Sequence, residues 1–176
     1  MIGRLIDVPA LDRPDLLGAP VEKALREWPD GPDVRVAEID PDLADTAAFC
    51  AEYDVSLDAS ANCVVVAGRR GGGTRYAACL VLATTRADVN GVVRRHLDVR
   101  KASFAAVDDA VELTGMEFGG ITPIGLPADW PVLVDARVVG LPAAIVGSGV
   151  RRSKLLLPGA ALARLSNAVV LPDLAR

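Results

Sequence analysis

Residues 114–127 read TGMEFGGITPIGLP. From Gly119 to Pro127 the stretch holds glycines, prolines and one hydroxyl, that of Thr122, and no charge, in a chain otherwise dense in Val, Leu and Ala. A bare turn needs fewer residues. The segment is therefore either a stiff crossover between elements or the wall of a site. Glycine lets a second backbone or a ligand come close, and proline holds a loop's shape with little entropy left to lose.

On the N-terminal side, "DDAVELTG" (108–115) reads as a helix stopped by Gly115. "RKASFA" (100–105) reads as a short strand, and Asp88 as the cap of a helix over "VNGVVRRHL" (89–97). Further upstream, "CVVVAG" (63–68) and "RYAACLVLAT" (75–84) form a hairpin whose joining "RRGGGT" supplies positive φ values. This glycine triplet lacks the Lys-Ser/Thr ending of a phosphate loop and leads into a strand, so nucleotide binding is the weaker reading. "DLLGAPVEKALREW" (15–28) has helical spacing, "VRVAEI" (34–39) alternates as a half-buried strand, and Asp42 caps a second helix to about Tyr53. On the C-terminal side, "PVLVD", "AAIVG" and "SKLLLP" read as strands, "GAALARL" as a last helix and "AVVLP" as a final strand. Strict strand-helix alternation fails twice, which points to an α+β domain around a mixed, largely antiparallel central sheet with surrounding helices.

Composition narrows the function classes. The 176 residues, 51% of them hydrophobic, suffice for one core and show no repeat or linker, so residues 1–176 read as one domain. Charges and prolines break up "MIGRLIDVPALDRPDLLGAP" before a signal-length apolar run develops, and no other stretch approaches a membrane span of about 20 residues, so a soluble, cytoplasmic protein is expected. Cys50, Cys63 and Cys79 form no CxxC pair and His96 is the only histidine, so neither a metal nor another cofactor is expected. The net charge of −4 argues against a domain that coats nucleic acid by bulk electrostatics. Local charge differs: Arg69, Arg70 and Arg75 flank the glycine triplet, Arg94, Arg95, Arg100 and Lys101 fall close together, and Arg151, Arg152 and Lys154 follow a Gly-Ser-Gly turn. Such clusters are commonly solvated faces, yet beside glycine-rich turns they keep a phosphate-bearing partner in play.

Four pieces in order, "ADVNGVVRRHLDVRKASFA", "TGMEFGGITPIGLP", "PVLVD" and "IVGSGVRRSKLLLPGAALARL", resemble the YbaK/ProX family of aminoacyl-tRNA editing domains, relatives of the insertion domain of bacterial prolyl-tRNA synthetases. The glycine-rich piece looks like the family's T-G-x-x-x-G-G-[IV]-[ST]-P-x-G. The resemblance covers about residues 61–165; the first sixty residues match only in the order of their elements. It implies a YbaK-like fold and hydrolysis of the ester joining a wrong amino acid to the 3′ end of tRNA. The expected partner is aminoacyl-tRNA through its 3′ end, with docking on an aminoacyl-tRNA synthetase left open by the sequence. By the same resemblance, Gly119, Gly120, Thr122, Pro123 and Gly125 form one wall of the pocket, and Gly147, Ser148 and Gly149 form the facing turn. Backbone amides of these turns, Gly119, Gly120 and Gly149 among them, would then stabilise an oxyanion.

The chain departs from the family at two places. Where relatives commonly carry a lysine, at the start of the strand before the hairpin, "SANCVVVAG" (60–68) aligns Asn62, and none of the three lysines lies within thirty residues of it. Asn62 can hydrogen-bond a ribose hydroxyl or a phosphate oxygen but neutralises no charge. In "GSGVRRSK" (147–154), Lys154 stands where some relatives have an aspartate. It either returns the missing cation from the opposite side of the pocket or is an exposed strand lysine. Cys63, next to Asn62, has no evident base to activate it, so a water helped by the ribose 2′-hydroxyl is the more consistent nucleophile. Three functions remain open: a trans-acting aminoacyl-tRNA deacylase of altered specificity, a weak or inactive member that binds tRNA or a partner, and a small-molecule hydrolase on the same fold.

Overall fold

The computed structural model describes residues 2–176. In chain order the elements are β1 (Asp7–Pro9), α1 (Ala19–Glu27), β2 (Arg35–Glu38), α2 (Thr46–Tyr53), β3 (Ala61–Arg70), β4 (Gly73–Leu82), α3 (Arg94–Leu97), β5 (Ala102–Phe104), α4 (Val107–Thr114), β6 (Val132–Asp135), α5 (Ala136–Val139), β7 (Ala144–Gly147), β8 (Ser153–Leu157), α6 (Gly159–Leu162) and β9 (Ala168–Leu171).

The β3–β4 hairpin is the spine, with ten residues in each strand and Gly71 and Gly72 at φ +59° and +81° in its tight turn. β5 pairs antiparallel with one edge of the hairpin, while β6 and then β9 add in parallel on the other, which makes the expected mixed sheet in the order β5-β3-β4-β6-β9. A second sheet was not foreseen. Its order is β1-β2-β8-β7 and every pair is antiparallel. A single parallel bridge, Ser60 to Ile145, joins β7 to the start of β3 on the edge that β5 also uses.

Side chains from both sheets and α1 share the largest core, in which Val21, Leu25, Val36, Leu80, Met116, Ile124, Leu155 and Leu162 are buried. The opposite face of the second sheet is covered by α2, where Leu5, Ala37, Phe49, Ile145 and Leu156 pack together. Strand period then dictates one placement that matters below: Leu155 and Leu157 point into the main core, so Lys154 and Leu156 point toward α2.

Several boundaries differ from the sequence reading. Asp42 does not cap α2; Pro41–Leu43 closes a separate 3₁₀ turn capped by the Asp40 side chain. The α2 cap is Asp45, whose carboxylate accepts from the amides of Ala47 at 3.1 Å and Ala48 at 3.4 Å. Asp88 caps as expected, but Val89–Val93 first makes a widened π turn before α3. Gly115, at φ +66°, ends α4. β1 and α5 had no sequence signal, and the last helix stops at Leu162. Among the described residues no helix is long and apolar enough to cross a membrane.

Candidate functional site

Where the two sheets meet, a cleft of about 330 Å³ opens between the N-terminus of α2, the start of β3, the end of β7 and the segment 118–121. The Asp45 cap fixes the first turn of α2 and so presents Thr46, whose hydroxyl donates to Asn62 Oδ1 at 2.8 Å. Asn62 thus enters the cleft already held through its carbonyl oxygen, with its amide NH₂ left to donate.

Lys154 lines the same cleft and is 8% exposed, which overturns the reading of an exposed strand lysine. Its ammonium donates to the carbonyl of Ala44 at 3.1 Å and sits 5.4 Å from the centre of the Phe49 ring. Burial pushes its pKa down from the ordinary lysine value; the charge of Arg151 adds to that, while Cys50 and Asp45 oppose it. Arg151 is a second cation in the lining, tethered by carbonyls rather than by a carboxylate partner: Nη2 donates to Pro41 O at 3.0 Å and Nη1 to Phe118 O at 3.2 Å. Phe118 itself is 59% exposed at this rim.

The glycines do two different jobs. Gly119 (φ +89°) and Gly147 line the cleft. Gly120 and Gly149 instead clasp the two turns together: the Gly149 amide donates to Gly120 O at 2.7 Å, the Gly120 amide to Glu117 O at 2.9 Å, and the Glu117 amide to Gly149 O at 2.9 Å. Those two amides are therefore spent within the protein. The Gly119 amide finds no acceptor among the described residues.

Thr122, Pro123, Gly125 and Ser148 lie outside the cleft lining. Gly125 (φ +87°) turns the chain against Pro20, leaving no room for a Cβ, and this carries the segment behind the cleft wall toward α1. Ser148 is fully buried and bonds Ser153 Oγ at 2.7 Å. Thr122 is also fully buried, and its hydroxyl has no partner among the described residues. An unpaired buried hydroxyl costs about 1–3 kcal/mol. Thr122→Val should accordingly raise the urea midpoint, by about 1 kcal/mol of stability; a loss of stability would show that the hydroxyl has a partner in solution.

Cys63 borders the cleft yet packs with the main core. Burial pushes its thiol far above the ordinary range, and Cys79 nearby adds to the rise; Cys79 is itself pushed up to about 12 by burial. Both thiols are kept protonated and behave as small hydrophobes rather than nucleophiles.

With this geometry in place, sequence comparison decides the family. Residues 40–165 match the aminoacyl-tRNA editing domain. The chain belongs to that family. The match bears out the resemblance read from residues 61–165 and extends it through α2, which supplies Asp45, Thr46 and Phe49 to the editing domain's cleft. Solved structures agree on the fold. The editing domain superposes on the hypothetical protein APE2540 with a TM-score of 0.76 at 22% identity, covering 89% of this chain and 99% of that one. It superposes on a protein described as a candidate trans-editing enzyme for prolyl-tRNA synthetase with a TM-score of 0.73 at 22% identity, covering 88% and 94%. No curated protein matches the chain.

Sequence reasoning brought Asn62, Cys63, Gly119, Gly147 and Lys154 to this cleft and missed Asp45, Thr46, Phe49, Phe118 and Arg151. The α2 residues could have been found from Asp45-Thr46, a cap followed by a helix. Arg151 carried no signal beyond its place in a basic turn.

Proposed function

We propose that this editing domain is a trans-acting aminoacyl-tRNA deacylase of altered specificity, in which Lys154 supplies from β8 the cation that relatives place at the position of Asn62. The observation that carries the reading is a buried lysine without a carboxylate partner among the described residues, set in the same cleft as Asn62, Gly119 and Gly147. A buried ammonium is costly to keep, so its retention favours an anionic or strongly dipolar ligand.

The aminoacyl ester lies across the cleft with its ribose toward Asn62. A water attacks the ester carbonyl carbon, assisted by the ribose 2′-hydroxyl, and the carbonyl π electrons move onto oxygen. Lys154, Arg151 and the Gly119 amide are the donors to that oxyanion or to the terminal phosphate. Collapse of the intermediate breaks the bond to the ribose 3′ oxygen, which takes up a proton and leaves as the hydroxyl of deacylated tRNA. Selectivity comes from the size of the cleft, which discriminates only modestly per methylene. The tRNA 3′ end is the partner, with a synthetase as docking partner.

One observation favours a second reading. The Asn62 carbonyl oxygen is already taken by Thr46, and the Gly120 and Gly149 amides are taken within the protein, so fewer groups are free for catalysis than the family pattern implies. A weak hydrolase that chiefly binds tRNA would look like this.

Hydrolysis of a panel of mischarged tRNAs, alanyl-tRNA for proline among them, by the wild type and by Asn62→Lys separates the two. The deacylase reading expects wild-type turnover of at least one member. Silence from the wild type with activity in Asn62→Lys would leave the binding role.

A further inference from the structure

A second anionic-ligand surface lies away from the cleft. Residues 69–101 carry eight basic and two acidic side chains, although the whole chain has 19 basic and 23 acidic. The fold gathers half of them, Arg69, Arg70, Arg94 and Arg100, at the tip of the β3–β4 hairpin, while Arg86 follows β4 at the hairpin's other end. Arg69, Arg70, Gly71 and Gly72 face Arg94, Asp98, Val99 and Arg100 across a groove. Arg75 donates to the carbonyl of Leu97 at 2.9 Å, and Arg70 pairs with Asp98, so the hairpin is locked to the segment that follows α3. Asp98 is committed to these two arginines. Arg69, Arg95, Arg100 and Lys101 are exposed and make neither ion pair nor side-chain hydrogen bond among the described residues. These cations have no internal task.

Three features give the ligand's class. Guanidinium forks match phosphate oxygens bidentately, and the free charges here are mainly arginines. The groove and the cleft share one strand: Asn62 opens β3 and Arg70 ends it, about 26 Å apart at ~3.3 Å per residue, along the same edge of the mixed sheet. Between them, in register with Val66, stands Phe104 of β5, 62% exposed, and a bare aromatic beside a basic groove is the arrangement on which unpaired bases stack. The acidic remainder of the surface repels a polyanion and so favours this one approach.

We infer that the Arg69–Arg100 groove holds the phosphate backbone of the tRNA acceptor arm while the 3′ end occupies the cleft. This rests on the aminoacyl-tRNA reading of the cleft and extends it to a second site on the same ligand.

The test is equilibrium binding of fluorescently labelled, deacylated tRNA by anisotropy, titrated over roughly 50–300 mM KCl. The proteins are the wild type, Arg69→Gln/Arg100→Gln and Arg69→Lys/Arg100→Lys. Loss of two phosphate contacts should weaken binding about tenfold or more and reduce the slope of log K against log salt by about 1.5, with the lysine pair restoring most of that slope. Unchanged affinity and slope in the glutamine pair overturn the inference, as does a wild type that binds anionic phospholipid vesicles but not tRNA. The mischarged-tRNA panel run on the wild type keeps the two ideas apart. Weakened binding in the glutamine pair with no wild-type hydrolysis retires the deacylase and keeps the groove, and hydrolysis with unaltered binding does the reverse.

Discussion

Lys154→Met should lower kcat/KM for the mischarged tRNA that the wild type hydrolyses by one to two orders of magnitude, while leaving the protein at least as stable. Hydrogen bonds to a charged group contribute about 1.5–3 kcal/mol, which corresponds to roughly 10- to 150-fold in rate. Stability moves the other way because Lys154 is desolvated: burial holds its pKa in the folded chain below that in the unfolded chain. Between those two values the unfolded chain binds more protons, so wild-type stability rises with pH across the window just below the ordinary lysine value. The methionine variant should lack that rise and keep the packing against Phe49. Urea unfolding at a series of pH values, beside single-turnover deacylation, reads both effects. Full activity in Lys154→Met would end the idea that the cation on β8 replaces the missing one at Asn62.

The second large effect is expected at Gly147. A Cβ there would stand 2.5 Å from the carbonyl oxygen of Gly120 and 2.6 Å from that of Ile121, both backbone atoms, the first of them held in the clasp between the two turns. Backbone cannot swing aside as a side chain can, so Gly147→Ala must push the two walls of the cleft apart. Overpacking of this kind costs about 3 kcal/mol, which lowers Tm by about 6–12 °C for a chain of this size. Calorimetry measures it directly. A shift under about 2 °C would mean that the walls are not held as closely as their carbonyls indicate.

Much of the site was readable because glycine and proline punctuate it. Gly115 had to end a helix, the Gly71–Gly72 turn had to be a hairpin, and the 119–127 segment had to hold its shape. What escaped has physical reasons. Three aspartates, Asp40, Asp42 and Asp45, compete for one helix start, and only the backbone after Pro41 decides that the last of them caps α2. The second sheet escaped because β2 pairs with β8, more than a hundred residues away, and two short strands carry no record of their partner. Lys154 escaped for a related reason. Every residue of β8 is buried, so alternation could not say which face the lysine joins. That was settled by α2 lying over the face shared with Leu156. Within the glycine-rich segment Thr122 and Pro123 turn inward and are buried, and composition alone cannot report the direction of a bend.

The Ser60–Ile145 bridge gives the cleft a mechanical character. Residues of both sheets line the cleft, and the two sheets are stitched by this contact within the lining. An occupant that spans the cleft therefore meets both sheets at once. One that touches Asn62 on one side and Lys154 on the other bridges the seam like a rivet. The breadth of such an occupant, as well as its charge, then decides whether it reaches both sides.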